Sequence, residues 1–224
     1  MSLSQITYAF QDGDRRRIIL NEVSHDFEAG ACYAVLGSSG SGKTTLLALM
    51  AALDAPASGT ITYCGQDLKD IGYESFRRNC MGIVFQSYNL VPFLTAAENV
   101  LLAISNTDNQ VPADKKGVVL NLLAYLGIDA AKAKSRVAAL SGGEQQRVAI
   151  ARALATNASL ILADEPTGNL DYENSGEIAR ILVGLAHDHN KCVIVVTHSA
   201  EIAQQADIRL LLSQGRLEKM PENE

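Results

Sequence analysis

The chain has 224 residues, a net charge of −6 and a sequence pI near 5.3. At 47% hydrophobic and 20% charged residues it can bury a real core, which excludes a disordered or collagen-like chain. The acidic balance argues against a nucleic-acid partner, since non-specific binding to nucleic acid needs a basic surface. The length suits one domain, with or without a subdomain.

In chain order, strand-like runs come first, at Ile6–Phe10, Val23–Phe27 and Cys32–Leu36, with a turn signal at Phe10-Gln-Asp-Gly-Asp. A Gly/Ser loop follows, then a helix-like stretch over Lys43–Leu53 and strand-like runs at Ile61–Cys64 and Met81–Phe85. From about Thr95 to Thr156 the pattern is mostly helical; Leu120, Leu123, Ala124 and Leu126 read as one apolar face closed by Gly127. Strand and helix then alternate through Leu160–Ala163, Glu173–His189, Cys192–Thr197, Ala200–Ala206 and Ile208–Leu212. The continuously apolar runs Leu160–Ala163 and Val193–Val196 suit central parallel strands covered on both faces. The tail from Lys219 to Glu224 is polar and is expected to fray. This layout predicts an α/β core interrupted by a helical insertion.

The N-terminus lacks a basic start followed by an apolar stretch, so no signal peptide is expected. The longest apolar run, Leu46–Leu53, falls far below the ~18–20 residues that span a bilayer. Any membrane action would need another polypeptide. Cys32, Cys64, Cys80 and Cys192 show no metal-ligand spacing and are expected to be free, mostly buried thiols in a reducing compartment.

Gly37-Ser38-Ser39-Gly40-Ser41-Gly42-Lys43-Thr44 fits G-x-x-x-x-G-K-[ST] at every fixed position, after an apolar strand and at the start of a helix. Such a loop curls so that successive N–H groups converge on phosphate, with the helix N-terminus adding a favourable dipole. Lys43 is expected to reach the β- and γ-phosphates and Thr44 to ligate Mg²⁺. Asp164 and Glu165 end the apolar strand Leu160-Ile-Leu-Ala, where Asp164 suits Mg²⁺ coordination and Glu165 suits polarising an attacking water. Ser141 and Glu144 form an S-x-x-E capping box. Gly142 and Gly143 in that first turn disfavour a helix, unless the turn must lie close against something with its N–H groups free for an anion.

These motifs, with Leu140-Ser-Gly-Gly-Glu144 and Leu160-Ile-Leu-Ala-Asp-Glu-Pro-Thr-Gly-Asn-Leu-Asp171 in this order, closely resemble the ATPase subunit of ATP-binding-cassette (ABC) transporters over residues 5–218. The resemblance implies an α/β, P-loop NTPase core with a mainly parallel sheet, an N-terminal antiparallel β subdomain and a helical subdomain. It implies one ABC ATPase domain over 1–224: a nucleotide-binding core of 1–86 and 157–219, a helical subdomain of 87–156 carrying the signature turn, and a polar tail, 220–224. It further implies ATP and Mg²⁺ as ligands, with Gly37 to Thr45 of one copy and Ser141, Gly142, Gly143 and Glu144 of a second copy enclosing each nucleotide.

By the same resemblance, Gln86 contacts Mg²⁺ and the attacking water and senses a membrane partner. Asn169-Leu170-Asp171 crosses the dimer interface, with Asp171 counted among the nucleotide-binding residues, and His198 holds the γ-phosphate. Phe10 falls where the family often stacks a Tyr on adenine, with Tyr8 as competitor and core packing as the plainer alternative.

Gly82-Ile-Val-Phe-Gln-Ser-Tyr-Asn-Leu-Val-Pro92 and Thr95-Ala-Ala-Glu-Asn-Val100 resemble the macrolide-exporter and lipoprotein-release branch, whose members pair with few-span permeases. That implies a cytoplasmic ATPase, peripheral on the inner face of the cell membrane, docked through a groove beside Gln86. Ser38 departs from a more usual Pro and Glu144 from Gln, neither affecting hydrolysis. A soluble ATPase acting on a cytosolic scaffold is the alternative. The short interval between Gln86 and Ser141 leaves no room for the coiled coil of a chromosome-maintenance ATPase.

Overall fold

Along the central strands, odd and even residues face opposite ways, and both faces are buried. Cys32, Ala34, Ile161, Ala163, Val193 and Val195 enter one hydrophobic cluster, while Tyr33, Val35, Leu160, Leu162, Ile194 and Val196 enter the other. Each fully buried Val, Leu or Ile contributes roughly 1.5–3 kcal/mol. A one-residue slip would exchange the two faces, so register is firmly set.

The computed structural model describes residues 1–12 and 15–221. Gly13 and Asp14 of the expected turn and residues 222–224 of the tail lie outside the described residues. These central strands are β3 (Cys32–Leu36), β7 (Leu160–Asp164) and β8 (Cys192–Val196). With β6 (Met81–Phe85), β9 (Ile208–Ser213) and β10 (Arg216–Lys219) they form a six-stranded sheet of order β10-β9-β3-β8-β7-β6. The sheet is parallel except for the β9–β10 hairpin. A second, antiparallel sheet of order β2-β1-β4-β5 comprises β1 (Ser2–Asp12), β2 (Arg15–Asp26), β4 (Ser58–Tyr63) and β5 (Gln66–Asp67).

Helix α1 (Lys43–Met50) buries Leu46, Leu47, Leu49 and Met50 in the cluster that also takes Leu3, Ile6 and Leu20 from the antiparallel sheet. The short helices α2 (Leu68–Ile71) and α3 (Tyr73–Asn79) lead into β6. The segment expected to be helical holds α4 (Ala96–Asn106), α5 (Lys115–Tyr125), α6 (Ala130–Ala133), a 3-10 turn (Val137–Ala139) and α7 (Gly142–Leu154). Its apolar side chains join the opposite cluster, together with α8 (Tyr172–His187) and Ile202 of α9 (Ala200–Gln205). Helix α7 presses on β6 so closely that a Cβ on Gly82 would strike the carbonyl of Ala153.

Several expectations are corrected. The buried side of α5 is Val119, Leu123 and the following Leu126; Leu120 is 41% exposed and Ala124 is exposed, because the helix presents a narrower face to α4 and α7 than its leucines suggest. Lys219 does not fray: it ends β10, paired opposite Leu210. Helix α1 stops at Met50 rather than Leu53. All four cysteines are free, but only Cys32 and Cys192 are buried; Cys64 is exposed.

Candidate active site

The carboxyl ends of the parallel strands, where ligands bind in open α/β sheets, carry the candidate site. The loop from Gly37 to Gly42 joins β3 to α1. Gly42 caps the helix with φ of 102°, a conformation that a side chain would strain, and a Cβ there would also come within 2.9 Å of Ile19. The Lys43 ammonium donates to the carbonyls of Gly37 (2.8 Å) and Ser38 (3.2 Å), bracing it over the loop. A cleft of about 390 Å³ runs from Ser39 and Gly40 over Lys43, Thr44 and Thr45 to Glu165, with Arg17 of β2 also lining it. The Ser41 hydroxyl is buried without a partner among the described residues.

At the end of β7, Asp164 is half-buried and its Oδ1 is a buried oxygen without a hydrogen bond among the described residues. Burial raises its pKa, the neighbouring Glu165 raises it further, and Lys43 opposes both. A desolvated carboxylate oxygen beside a phosphate loop is a hard-oxygen donor of the kind Mg²⁺ takes, so this site fits the ion. Glu165 has a left-handed φ of 45° and donates its N–H to Val196 O at 2.8 Å. Its side chain, 15% exposed, is held on both oxygens: Oε2 accepts from the Thr197 hydroxyl (3.1 Å) and the His198 N–H (3.2 Å), and Oε1 meets His198 Nδ1 at 2.8 Å. The His198 side chain is 72% exposed, and among the described residues Nε2 has no hydrogen bond.

Gln86 follows β6 and does not line the Lys43 cleft. Its amide donates to Asn169 Oδ1 (3.3 Å), and Asn169 Nδ2 donates back to the Gln86 carbonyl (3.0 Å). A Cβ on Gly168 would lie 2.6 Å from the same amide nitrogen. The structure therefore seats Gln86 on the Asn169 loop, a pairing across 83 positions that nothing local in the sequence announces.

The capping box at α7 is formed as expected: the Ser141 hydroxyl accepts from Glu144 N–H (3.3 Å), and Glu144 accepts from Ser141 N–H (2.9 Å). Glu144 also pairs with Lys132 at 2.8 Å, and these contacts, Lys132 first, lower its pKa. Its carboxylate is thus committed to bracing the turn. The N–H groups of Gly142 and Gly143 have no acceptor among the described residues. Both glycines also permit close packing within the chain: a Cβ on Gly143 would lie 2.5 Å from Asn174 Oδ1, and one on Gly142 would lie 2.9 Å from the Tyr88 hydroxyl. Asp171 caps α8, accepting from Asn174 N–H at 2.9 Å, which holds its pKa down. None of Ser141, Gly142, Gly143 or Glu144 lines the Lys43 cleft.

Phe10 is 58% exposed, opposite Arg17 in the hairpin, which excludes ordinary core packing for it. Tyr8 is already engaged: its hydroxyl donates to Asp54 at 2.5 Å and its ring packs on the core.

A family model described as ABC transporter matches residues 20–168. This chain belongs to the ABC transporter family. As a member it is an ATPase that uses ATP with Mg²⁺ in work coupled to transport. An uncharacterised ABC transporter ATP-binding protein of Bacillus subtilis, YclH, is 42% identical over 215 residues, covering 96% of this chain and 94% of that one. The lipoprotein-releasing system ATP-binding protein LolD of Chromohalobacter salexigens is 40% identical, covering 95% and 90%. The macrolide export ATP-binding/permease protein MacB of Burkholderia pseudomallei is 39% identical over 97% of this chain, which spans 33% of that protein. Among solved structures, the dimeric ABC transporter cassette MJ0796 superposes with a TM-score of 0.88 at 34% identity, over 98% of each chain. The same cassette in a dimeric post-hydrolysis state bound to ADP and Pi gives 0.87 at 33%. The likeness bears out both the α/β ABC cassette and the branch expected from the sequence.

Two contributors to this ABC site escape sequence reasoning. Thr197 looks like an ordinary strand-end residue, yet it is fully buried and anchors Glu165. Asn169 was expected only as part of the interface loop, not as the partner of Gln86. In both cases the partner is remote in sequence.

Proposed function

We propose that two copies of this chain close head to tail over two ATP–Mg²⁺ and drive a separate, few-span integral-membrane permease, for export or for force transmission outside the cytoplasm. The observation that carries this reading is the division of the site. Lys43, Thr44, Thr45 and Glu165 share one cleft. The free N–H groups of Gly142 and Gly143, suited to an anion, open elsewhere on the same chain. A second copy supplies what each cleft lacks, as the dimeric state of the similar cassettes supports.

In this reading the Gly37–Thr45 loop binds the phosphates, with Lys43 transferring its hydrogen bonds from the loop carbonyls to phosphate oxygen. Thr44 and Asp164 would hold Mg²⁺, which when bound offsets charge on the β- and γ-phosphate oxygens. Glu165 accepts a proton from the attacking water or orients it, and Thr197 and His198 fix the carboxylate in place for that task. The His198 ring, fixed through Nδ1, offers Nε2 to the γ-phosphate. Gln86, released from Asn169, approaches the nucleotide only on closure, and Phe10 stacks on the base. Ser141, Gly142 and Gly143 of the opposite copy complete the γ-phosphate site, braced by Glu144, and Asp171 caps the helix behind the interface loop. Residues 1–86 and 157–219 serve as the nucleotide-binding core and 87–156 as the helical lobe.

Among the described residues no helix is long and apolar enough to cross a membrane. The proposed place, cytoplasmic and peripheral on the inner face of the cell membrane, follows from docking on the permease. The groove beside Gln86, walled by Phe85, Asn89, Ala103 and Arg152, receives a segment of that partner. Affinity purification of tagged Glu165→Gln chain from detergent-solubilised membranes with ATP–Mg²⁺ tests this. A stoichiometric few-span permease is the expected co-purifying chain. A homodimer alone, or a water-soluble partner alone, would replace the permease with a cytosolic scaffold.

A further inference from the structure

Arg152 lies near the end of α7, half-buried, and burial lowers its pKa. Among the described residues no carboxylate pairs with it. Its guanidinium instead donates to two consecutive carbonyls, from Nη2 to Tyr88 at 2.9 Å and from Nη1 to Asn89. Both acceptor residues sit in the left-handed region, with φ of 61° and 49°. Two non-glycine residues in that region in succession are unfavourable unless something holds them. A desolvated guanidinium without a counter-ion is itself costly unless its donors are satisfied. Each half of this arrangement therefore supports the other.

The clamped turn lies between the functional motifs. Gln86, two residues upstream, is tied to Asn169. The Tyr88 hydroxyl abuts Gly142 of the signature turn, and Leu170 lies beside the same glycine. Segment 86–89 thus touches both the interface loop and the signature turn, and Arg152 grips its far end.

We propose that Arg152 is a positioning residue for ATP hydrolysis: by holding the Tyr88–Asn89 turn it keeps Gln86 and the Gly142 turn in register with one another. This rests on the roles assigned above to Gln86 and the signature turn. Arg152 touches no part of the phosphate loop, so its loss should act on turnover rather than on nucleotide capture.

The test uses the full chain with Arg152→Ala and Arg152→Lys, measuring steady-state ATP hydrolysis, binding of ATP–Mg²⁺ by titration, and thermal melting. The expected result is a kcat lowered about fivefold or more in Arg152→Ala, since small misplacements of catalytic groups cost that much or more. ATP affinity should stay within about twofold of the parent, and Arg152→Lys should recover a third or more of the parent kcat. A smaller fall in kcat, a loss of affinity in proportion to kcat, or no recovery with Lys would overturn the proposal. If Arg152→Ala does not melt cooperatively, Arg152→Gln, which keeps one amide donor, is judged by the same kcat and affinity criteria. Glu165→Gln run alongside separates the two failures. Full activity in that variant would sink the reading of the site itself, whereas its inactivity beside an active Arg152→Ala would sink only the role of Arg152.

Discussion

Glu165 and His198 stand 2.8 Å apart, Oε1 to Nδ1, at the ends of neighbouring parallel strands. Thr197 and the His198 N–H take the other carboxylate oxygen, so the Glu165 carboxylate, the proposed base, is held on both oxygens. Glu165→Gln keeps the shape but cannot accept a proton. We expect turnover to fall by roughly 10²–10⁴-fold while ATP still binds. Steady-state hydrolysis, with size-exclusion chromatography in ATP to detect the accumulated dimer, checks both parts. Turnover near the parent rate would remove Glu165 as the base.

Lys43→Ala acts earlier. In the proposed reading its ammonium contacts phosphate, and a hydrogen bond to a charged group is worth about 1.5–3 kcal/mol. Nucleotide affinity should weaken roughly 10–100-fold, read by calorimetric titration. Unchanged affinity would contradict the role of the loop.

Asp164 is expected to couple stability and Mg²⁺-dependent nucleotide binding in opposite directions. Burial, with Glu165 adding to it, raises its pKa in the folded chain. A raised carboxyl pKa means the folded state favours the protonated form. Its stabilising contribution is therefore fully present below the unfolded pKa, about 3.9, and is lost as pH rises through the raised value. Asp164→Asn should then melt higher than the parent at pH 7 without nucleotide. The gap should shrink as the pH is lowered toward about 4. The same variant should bind Mg²⁺-dependent ATP more weakly. A lower melting temperature at pH 7 would show that the Asp164 charge is stabilising in the folded chain.

Gly82 allows α7 to rest on β6, with the backbone of Ala153 at the contact. Backbone cannot swing aside as a side chain can, so Gly82→Ala should cost about 1–3 kcal/mol. Denaturant unfolding measures this directly; a change below about 0.5 kcal/mol would mean that the two elements separate easily.

The thiols should separate by environment. Burial pushes Cys32 up to about 12 and Cys192 up to about 11, so neither forms thiolate near neutral pH. Cys64 is exposed. A chromogenic disulfide reagent on the native chain should therefore label Cys64 fast and Cys80 slowly, and leave the other two until unfolding. Fast labelling of Cys32 would show that the core opens readily at the start of β3.

The amino-acid sequence by itself determined what is local or periodic. Gly37–Thr44 needs only its own spacing to be read as a phosphate loop, and β3 and β6 run over the residues that their apolar patterning indicated. Ser141 and Glu144 announced their own capping box because both partners lie within one helical turn. Short or amphipathic pieces were less legible: α2, α3 and β10 carry weak periodicity, and Leu120 is apolar yet turned outward because tertiary packing chose which side of α5 to cover. Only the tertiary structure decided the pairings that shape the site. Gln86 meets Asn169, Thr197 anchors Glu165, and Arg152 clamps Tyr88 and Asn89, each across 32 to 83 positions. A side-chain hydrogen bond has a reach of about 3 Å. Which distant groups come within that reach is set by how the sheet and helices stack, and no spacing along the chain encodes it.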